Sequence, residues 1–160
     1  MNKCLLIVDV QRGFINDSTQ HIPRKVEQIQ KKYENVFVTR FYNEKDSFFR
    51  KLIEWNRFDI DSEDFELAFT PSSKAIIINK RTYTCVNSGF IQKINNLNIK
   101  TIDVVGIDTD ICVTKCAVDL FEIGIIPRVL SDYCASHAGQ VAHDFALKTL
   151  ARYIGSKQVI

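Results

Sequence analysis

The side chain with the clearest chemical potential is Cys112, in the segment Gly106-Ile107-Asp108-Thr109-Asp110-Ile111-Cys112. It follows an apolar run, Ile102 to Gly106, where a strand pattern changes to a helical one. The N-terminus of a helix presents unpaired backbone N–H groups and a partial positive charge, so it stabilises a thiolate and can hold an oxyanion. Free cysteine also behaves as a small buried hydrophobe, so simple packing is the alternative. The position of Cys112 makes it a candidate nucleophile.

Two further ionisable side chains, Asp9 and Lys80, come at the ends of other apolar segments. Asp9 follows Leu5 to Val8, at a point where a carboxylate can act as a general base. Lys80 follows Ile76 to Asn79, and close to Cys112 its ammonium group would stabilise developing negative charge. A turn or cap role for Asp9 and a solvated charge for Lys80 are the alternatives. Together with Cys112, these residues predict a cysteine-dependent hydrolase.

The remaining cysteines and the histidines are interpreted without a metal. Five cysteines in a chain with no recognisable export signal argue against a disulfide framework. Cys116 lies one helical turn after Cys112, so a dithiol or half of a metal site is an alternative to packing. His137 and His143 are six residues apart on a predicted helix and point to different faces. We therefore predict no metal site and no cofactor. The cysteines interpreted as packing residues are Cys4, Cys85 and Cys134.

The elements that position these residues alternate between strand and helix patterns. Continuous apolar runs suit strands of a parallel sheet that is covered on both faces. The predicted strands are Cys4 to Val8, Val36 to Thr39, Ala75 to Ile78, Ile102 to Gly106 and Ile125 to Leu130. The predicted helices are Arg24 to Glu34, Asp46 to Trp55, Val86 to Leu97, Ile111 to Ile123 and His137 to Tyr153. This order predicts an α/β fold with a doubly wound, mostly parallel sheet, helices on both faces and a ligand site at the carboxyl ends of the strands.

Three stretches are less clearly defined. Pro127 in the fifth apolar run indicates a bulge or a strand start. The segment Phe58 to Thr70 is either a surface connection or a flap over the pocket, and Gln158 to Ile160 are candidates for a short edge strand. Because the sequence contains no repeat, low-complexity tract or linker, we expect one domain over residues 1–160.

Composition limits the classes of partner. A formal net charge of +2 with no basic block argues against nucleic-acid binding. No apolar run approaches the roughly 20 residues that a membrane span needs, and Asp9 interrupts the first apolar run too early for a signal-peptide core. We therefore expect a cytoplasmic protein that acts on a small-molecule substrate and binds neither nucleic acid nor a membrane.

Four segments, in this order and spacing, resemble the isochorismatase-like (nicotinamidase-related) cysteine hydrolase superfamily over about Leu5 to Tyr153. The segments are Leu6-Ile7-Val8-Asp9-Val10-Gln11-Arg12-Gly13-Phe14, Lys80-Arg81-Thr82-Tyr83, Val105-Gly106-Ile107-Asp108-Thr109-Asp110-Ile111-Cys112-Val113 and Leu130-Ser131-Asp132-Tyr133-Cys134-Ala135-Ser136. The resemblance implies the three-layer α/β fold of the family. It also implies a catalytic triad of Asp9, Lys80 and Cys112.

The same resemblance implies further features of the site. The backbone N–H groups of Asp108 and Cys112 would form an oxyanion hole, and the peptide bond between Ile107 and Asp108 would be cis. Isochorismate vinyl-ether hydrolases of the family lack the cysteine, so the presence of Cys112 favours an amide or carbamoyl substrate and a thioester intermediate. Homodimers and homotetramers are common among relatives, and we expect one of them here.

One departure from the family pattern concerns the substrate. Nicotinamidases bind a metal through an Asp and several His residues after the second strand, but here residues 39–46 contain no histidine. This difference argues against nicotinamide. We expect Phe14, Phe41 and Tyr83 to line an aromatic pocket and Arg40 to hold a carboxylate, with core packing as the alternative for the aromatic residues.

Two other functions fit parts of the sequence. The strand pattern followed by Asp108-Thr109-Asp110 is also typical of an aspartate-nucleophile phosphatase, which would need Mg²⁺. A catalytically inactive relative that keeps the fold for binding is the second alternative.

Overall fold

The computed structural model describes residues 3–160, and their central element is a five-stranded sheet in which all neighbouring strands are parallel. The strands are β1 (Cys4–Val8), β2 (Asn35–Phe41), β3 (Ile76–Lys80), β4 (Thr101–Ile107) and β5 (Ile126–Ala135), in the spatial order β3-β2-β1-β4-β5. The chain moves outward from β1 to β3 on one side and then returns to β4 on the other. Such a switch point opens a crevice at the carboxyl ends of the strands.

The helices lie on both sides of the sheet, as the sequence predicts. They are α1 (Ile22–Ile29), α2 (Phe48–Ile53), α3 (Ser88–Asn96), α4 (Thr114–Glu122) and α5 (Gln140–Ile154). Helices α3, α4 and α5 share one core with Leu6 and Val8 of β1, whereas α1 shares the other core with Leu5 and Ile7. Because successive strand residues point to opposite faces, the continuous apolar run of β1 supplies both cores. The predicted fold class is confirmed.

Several helices differ from their predicted bounds for local reasons. Helix α1 begins early, with Pro23 in its first turn, and gives way after Ile29 to a 3-10 turn. Helix α2 ends where Glu54 adopts a left-handed conformation with φ 58°. Helix α4 begins at Thr114 because residues 109–113 form a π-helical turn.

Strand β5 is longer and less regular than predicted. Pro127 is its second residue, on an edge of the sheet where a missing N–H is tolerated. The pairing with β4 shifts register between Val104 and Gly106. Beyond β5, Val159 forms a single parallel bridge with Val129, and Ile160 N–H donates to Val129 O at 2.9 Å. The expected C-terminal edge strand is therefore reduced to one bridge.

The segment between residues 58 and 70 is a packed connection. Its aromatic side chains Phe58, Phe65 and Phe69 are buried. Leu67 forms an antiparallel bridge with Gln11, which ties the segment to the end of β1. The element at the pocket is α2 with the residues that follow it, so the flap interpretation of 58–70 is not supported.

None of the helices within residues 3–160 has both the length and the apolar character that crossing a membrane requires.

Candidate active site

Asp9 is held at the end of β1 by the neighbouring strand β2. Its backbone is left-handed, with φ 48°, a conformation that Asp adopts more readily than most residues. The Thr39 hydroxyl donates to Asp9 Oδ1 at 2.6 Å and accepts from the Asp9 backbone N–H at 3.1 Å. Asp9 is completely buried, so Thr39 orients this carboxylate without help from solvent.

Lys80, the last residue of β3, places its ammonium group between the carboxylate and the thiol. Its Nζ lies 2.7 Å from Asp9 Oδ2 and 3.7 Å from Cys112 Sγ. The same Nζ donates to the carbonyl oxygens of Thr82 and Tyr83, at 2.9 and 3.0 Å. Burial acts to lower the pKa of Lys80, but attraction to the Asp9 carboxylate outweighs it and raises the pKa. Lys80 is therefore a fixed cation.

Cys112 lies in the π-helical turn, with only 6% of its surface exposed. Burial raises the pKa of the Cys112 thiol well above its usual range, the Lys80 ammonium opposes this effect, and the Asp9 carboxylate adds to it. The resting thiol is therefore protonated. A nucleophile of this kind needs a base within reach, and Asp9 meets the same ammonium group that contacts the sulfur.

The π-helical turn and Asp108, the residue that precedes it, carry the two N–H groups expected to form an oxyanion hole. Val113 N–H donates to Asp108 O at 3.0 Å, a five-residue span typical of a π-turn. The N–H groups of Asp108 and Cys112 precede this bond, in the part of a helix whose donors lack intrahelical acceptors. The Ile107–Asp108 peptide bond is cis, as the resemblance implies.

Contacts with neighbouring elements fix the turn. The Thr109 hydroxyl lies 2.7 Å from His143 Nδ1 of α5, and the Thr114 hydroxyl donates to Thr109 O at 2.6 Å. Gly106, the second-last residue of β4, has φ 125°, and a Cβ added to it would lie 2.1 Å from Val8 O. Only glycine allows β4 to approach β1 this closely just before the turn.

Cys112 opens into a pocket of about 300 Å³ with mainly aromatic walls. Phe14, Phe41 and Tyr83, which the sequence analysis proposed as substrate contacts, lie in these walls. The rings of Phe41 and Trp55 are stacked, with centroids 5.4 Å apart. The other lining residues are Phe49, Ile53, Glu54, Asp108, Ile111 and His137. A cavity of this size and character suits one small, largely apolar molecule with a few polar groups.

Arg40 does not line this pocket, so its predicted contact with a substrate carboxylate is not supported by the structure. Its Nε donates to Asn79 Oδ1 at 3.0 Å, and its guanidinium carbon lies 4.4 Å from the centroid of the Phe65 ring. The physical reason is strand alternation, because Thr39 directs its side chain to Asp9 and the next residue must point to the other face.

His137 enters the pocket from the connection between β5 and α5. Its backbone N–H donates to Asp108 Oδ1 at 2.8 Å, and its Nδ1 makes a very short contact with Asp108 Oδ2. Burial raises the pKa of Asp108, whereas the bonds from His137 lower it. The same side-chain bond raises the pKa of His137. The two residues thus form a charge-assisted pair in the pocket wall.

The sequence interpretation missed three residues that support the site. Thr39 and His137 have the roles described above. The buried Gln11 side chain donates to the carbonyl oxygens of Phe41 and Phe65, both at 2.9 Å, and accepts from Phe41 N–H at 2.7 Å. Polar residues at strand ends were a usable signal for Thr39 and Gln11, but nothing local to His137 indicates its partner.

The residues at and just after the end of β2 do not fit the metal site that the resemblance associates with nicotinamidases. Phe41 belongs to the pocket wall, and the Asn43 side chain donates to Trp55 O at 2.7 Å and accepts from the Ser47 hydroxyl at 2.5 Å. Across residues 3–160, no group of three or more His, Cys, Asp and Glu side chains is arranged to hold a metal ion.

A buried carboxylate, ammonium group and thiol at the carboxyl edge of a parallel sheet define an α/β protein suited to nucleophilic chemistry at cysteine. The chain belongs to the isochorismatase domain family, whose model matches residues 3–158. No curated protein matches the chain at the level of sequence.

Solved structures share this fold at low sequence identity. An isochorismatase-like hydrolase from Alkaliphilus metalliredigens superposes with a TM-score of 0.85 and 16% identity, covering 96% of this chain and 92% of the other. Nicotinamidase PncA from Bacillus subtilis superposes with a TM-score of 0.84 and 18% identity, covering 98% of each chain. An N-carbamoylsarcosine amidase from Thermoplasma acidophilum superposes with a TM-score of 0.76 and 19% identity, covering 94% of each chain. These similarities establish the fold.

Proposed function

We propose that this isochorismatase-family hydrolase cleaves the C–N bond of a small amide or carbamoyl compound through a thioester on Cys112. The observation that carries the proposal is the convergence of three side chains, with Lys80 Nζ 2.7 Å from Asp9 and 3.7 Å from Cys112. A nicotinamidase and an N-carbamoylsarcosine amidase among the similar structures support this class of substrate.

The first half of the reaction forms the thioester. Asp9 takes the proton of the Cys112 thiol, and the sulfur attacks the carbonyl carbon of the substrate. The carbonyl oxygen gains the negative charge and is held by the backbone N–H groups of Asp108 and Cys112. When the tetrahedral intermediate collapses, the C–N bond breaks and Asp9 returns the proton to the departing nitrogen.

The second half releases the acid. Asp9 removes a proton from a water molecule, and the resulting hydroxide attacks the thioester carbonyl carbon. The C–S bond breaks, the carboxylic acid leaves, and the Cys112 sulfur recovers its proton from Asp9. Lys80 keeps its charge throughout and stabilises the negative charge that moves between oxygen and sulfur.

The phosphatase alternative has no support in the site. An aspartate nucleophile at residue 108 needs a free carboxylate oxygen, but both oxygens of Asp108 accept hydrogen bonds from His137. The charge-assisted pair would have to break before Asp108 could attack phosphorus.

The direct test is to trap the thioester. The protein is mixed with a panel of small carboxamides and carbamoyl compounds, quenched in acid, and measured by intact mass and peptide mapping. We expect an acyl adduct on Cys112 and release of ammonia or amine. Cys112→Ala should lose both while retaining its circular dichroism spectrum and thermal midpoint.

Cys4→Ala is the matched control. Cys4 is as buried as Cys112 but lies at the other end of the sheet, where burial raises the pKa of its thiol to about 12. The Cys4→Ala variant should form the acyl adduct on Cys112 like the wild type. Turnover by Cys112→Ala, or an acyl group mapped to another residue, would refute the mechanism. Absence of both turnover and adduct across the panel would favour an inactive binding relative.

A further inference from the structure

A second cavity lies beside the carboxyl end of β5 and shares no lining residue with the pocket of Cys112. Its volume is about 160 Å³ and its wall is mainly polar. Three of the residues that line it are basic: His21 at the start of α1, Lys25 within α1, and His143 in the first turn of α5. The proposed reaction uses none of these three side chains.

The basic side chains of this cavity meet no buried acid. Lys25 Nζ donates to the backbone oxygen of Asp132 at 2.7 Å, which leaves two of its three hydrogens for other acceptors. Burial and the positive charges of Lys25 and His143 lower the pKa of His21. Asp132 is the only acidic residue in the wall within residues 3–160, and its side chain is exposed, so water screens its charge. The cavity therefore gathers positive charge that only an exposed acid balances.

Two buried side chains add hydrogen-bond donors to the wall. Ser136 is 1% exposed, and its hydroxyl oxygen accepts from Ala138 N–H at 3.1 Å, while its own hydrogen meets no acceptor among the described residues. His143 is 9% exposed, and its Nδ1 lies 2.7 Å from the Thr109 hydroxyl, while Nε2 has no partner in the same part of the chain. Because both side chains line the cavity, these donors are available to a molecule inside it.

The N-terminus of α5 supplies further donors at the same place. Gly139, the residue before the helix, has no side chain that could cap it, and the first turn contains no acidic residue. The N–H groups of Gln140, Val141 and Ala142 meet no acceptor between residues 3 and 160. Such N–H groups and the helix dipole favour a negative charge. Gly139 and Gln140 line the cavity, so this end of α5 faces the basic side chains of α1.

We propose that this cavity binds a small tetrahedral oxyanion, either inorganic phosphate or the phosphate group of a monoester. Lys25, His21 and His143 supply positive charge, and the Ser136 hydroxyl and the first N–H groups of α5 donate hydrogen bonds to the anion oxygens. A volume of about 160 Å³ is below the roughly 300 to 1,000 Å³ of pockets for drug-sized ligands, so only the phosphate group enters it. The site is independent of the proposed hydrolysis.

The first test follows the imidazole Hε1 signals by NMR while pH is varied, with sodium phosphate or with sodium chloride at equal ionic strength. We expect phosphate to raise the pKa of His21 and of His143, because a nearby anion favours the imidazolium form. Asp110 and Asp144, which also act on His143, are present in both titrations. His137, which lines the pocket of Cys112, is the internal reference and should keep its pKa.

The second test measures the Kd for inorganic phosphate by calorimetry. Lys25→Met should weaken binding by about tenfold, the lower end of the range for a hydrogen bond from a charged group. Arg24→Met is the matched control, because it removes one positive charge from the same helix at a position outside the cavity wall. Its Kd should stay within about twofold of the wild type, since salt screens a charge that does not contact the anion.

Glycerol phosphate distinguishes the two sources of the anion. Tighter binding of glycerol phosphate than of inorganic phosphate identifies a monoester as the ligand, whereas equal or weaker binding identifies the free ion. The proposal is overturned if neither compound changes the pKa of His21 and His143, or if Lys25→Met and Arg24→Met bind phosphate equally well.

Discussion

Replacing Lys80 by Met tests the central ion pair, because Met fills similar space without a charge. The Lys80 side chain is 2% exposed and that of Asp9 is 0% exposed, so little water can compensate for the loss. The Thr82 and Tyr83 carbonyl oxygens also lose a donor. Removing one member of a buried ion pair costs about 3 to 5 kcal/mol, since the other charge is left uncompensated. We expect the free energy of unfolding to fall by that amount.

The assay is urea unfolding at pH 7, followed by circular dichroism and tryptophan fluorescence of Trp55. Lys115→Met is the matched control, because the ion pair of Lys115 with Asp119 on α4 is half exposed and solvated. Exposed pairs contribute about 0.2 to 1 kcal/mol, so this variant should unfold almost like the wild type. The urea dependence of the unfolding free energy should be equal in all variants.

A double variant distinguishes loss of the charge pair from general damage. Asp9→Asn/Lys80→Met replaces both charges by neutral groups of similar size, which is often close to neutral for stability. It should therefore recover much of the stability lost in Lys80→Met, giving a large coupling energy. A Lys80→Met effect below about 1 kcal/mol, equal to that of the Lys115 control, would refute the buried ion pair.

Two further predictions concern the backbone before Cys112 and the histidines. Gly106→Ala should lower the unfolding free energy by about 3 kcal/mol or more, because its Cβ meets Val8 O at 2.1 Å with φ 125°. Gly124→Ala, with φ 82° and open space around the added Cβ, should cost about 1 to 2 kcal/mol in the same urea unfolding assay. By NMR titration of the imidazole Hε1 signals, the pKa of His137 should lie above its ordinary value because of its bond to Asp108, and that of His143 below it because of burial. Equal losses of unfolding free energy in the two glycine variants would contradict the first prediction. A pKa of His143 above that of His137 would contradict the second.

Much of the fold follows from the sequence because the sheet is buried on both faces. Strands covered on both sides are mostly apolar, so β1 is a continuous apolar run, and β4 is an apolar run interrupted by Asp103. The bounds of β5 were harder to predict. Its outer half interleaves polar and apolar residues, and its register with β4 shifts near Gly106, which no local pattern shows.

The proximity of Asp9, Lys80 and Cys112 was also predictable, since each comes at the carboxyl end of a strand and those ends meet at one edge of a parallel sheet. The direction of each side chain near such an end could also have been predicted from strand alternation, but the interpretation of Arg40 did not apply it. Arg40 and Thr39 are neighbours in β2, yet only Thr39 faces the site. A strict alternation argument along β2 would have separated them.

The pair of Asp108 and His137 shows why contacts around the site are harder to predict than the candidate reacting groups. An acidic residue beside the proposed oxyanion hole would repel the negative charge that develops there, so Asp108 on its own is unfavourable for the reaction. His137 reverses this effect by donating to both carboxylate oxygens across 29 positions of sequence. His137 has no distinctive local pattern, and it meets Asp108 only when the ends of β4 and β5 come together. The proposed reacting groups are therefore set by positions at strand ends, whereas the contacts that surround them exist only after the sheet has formed.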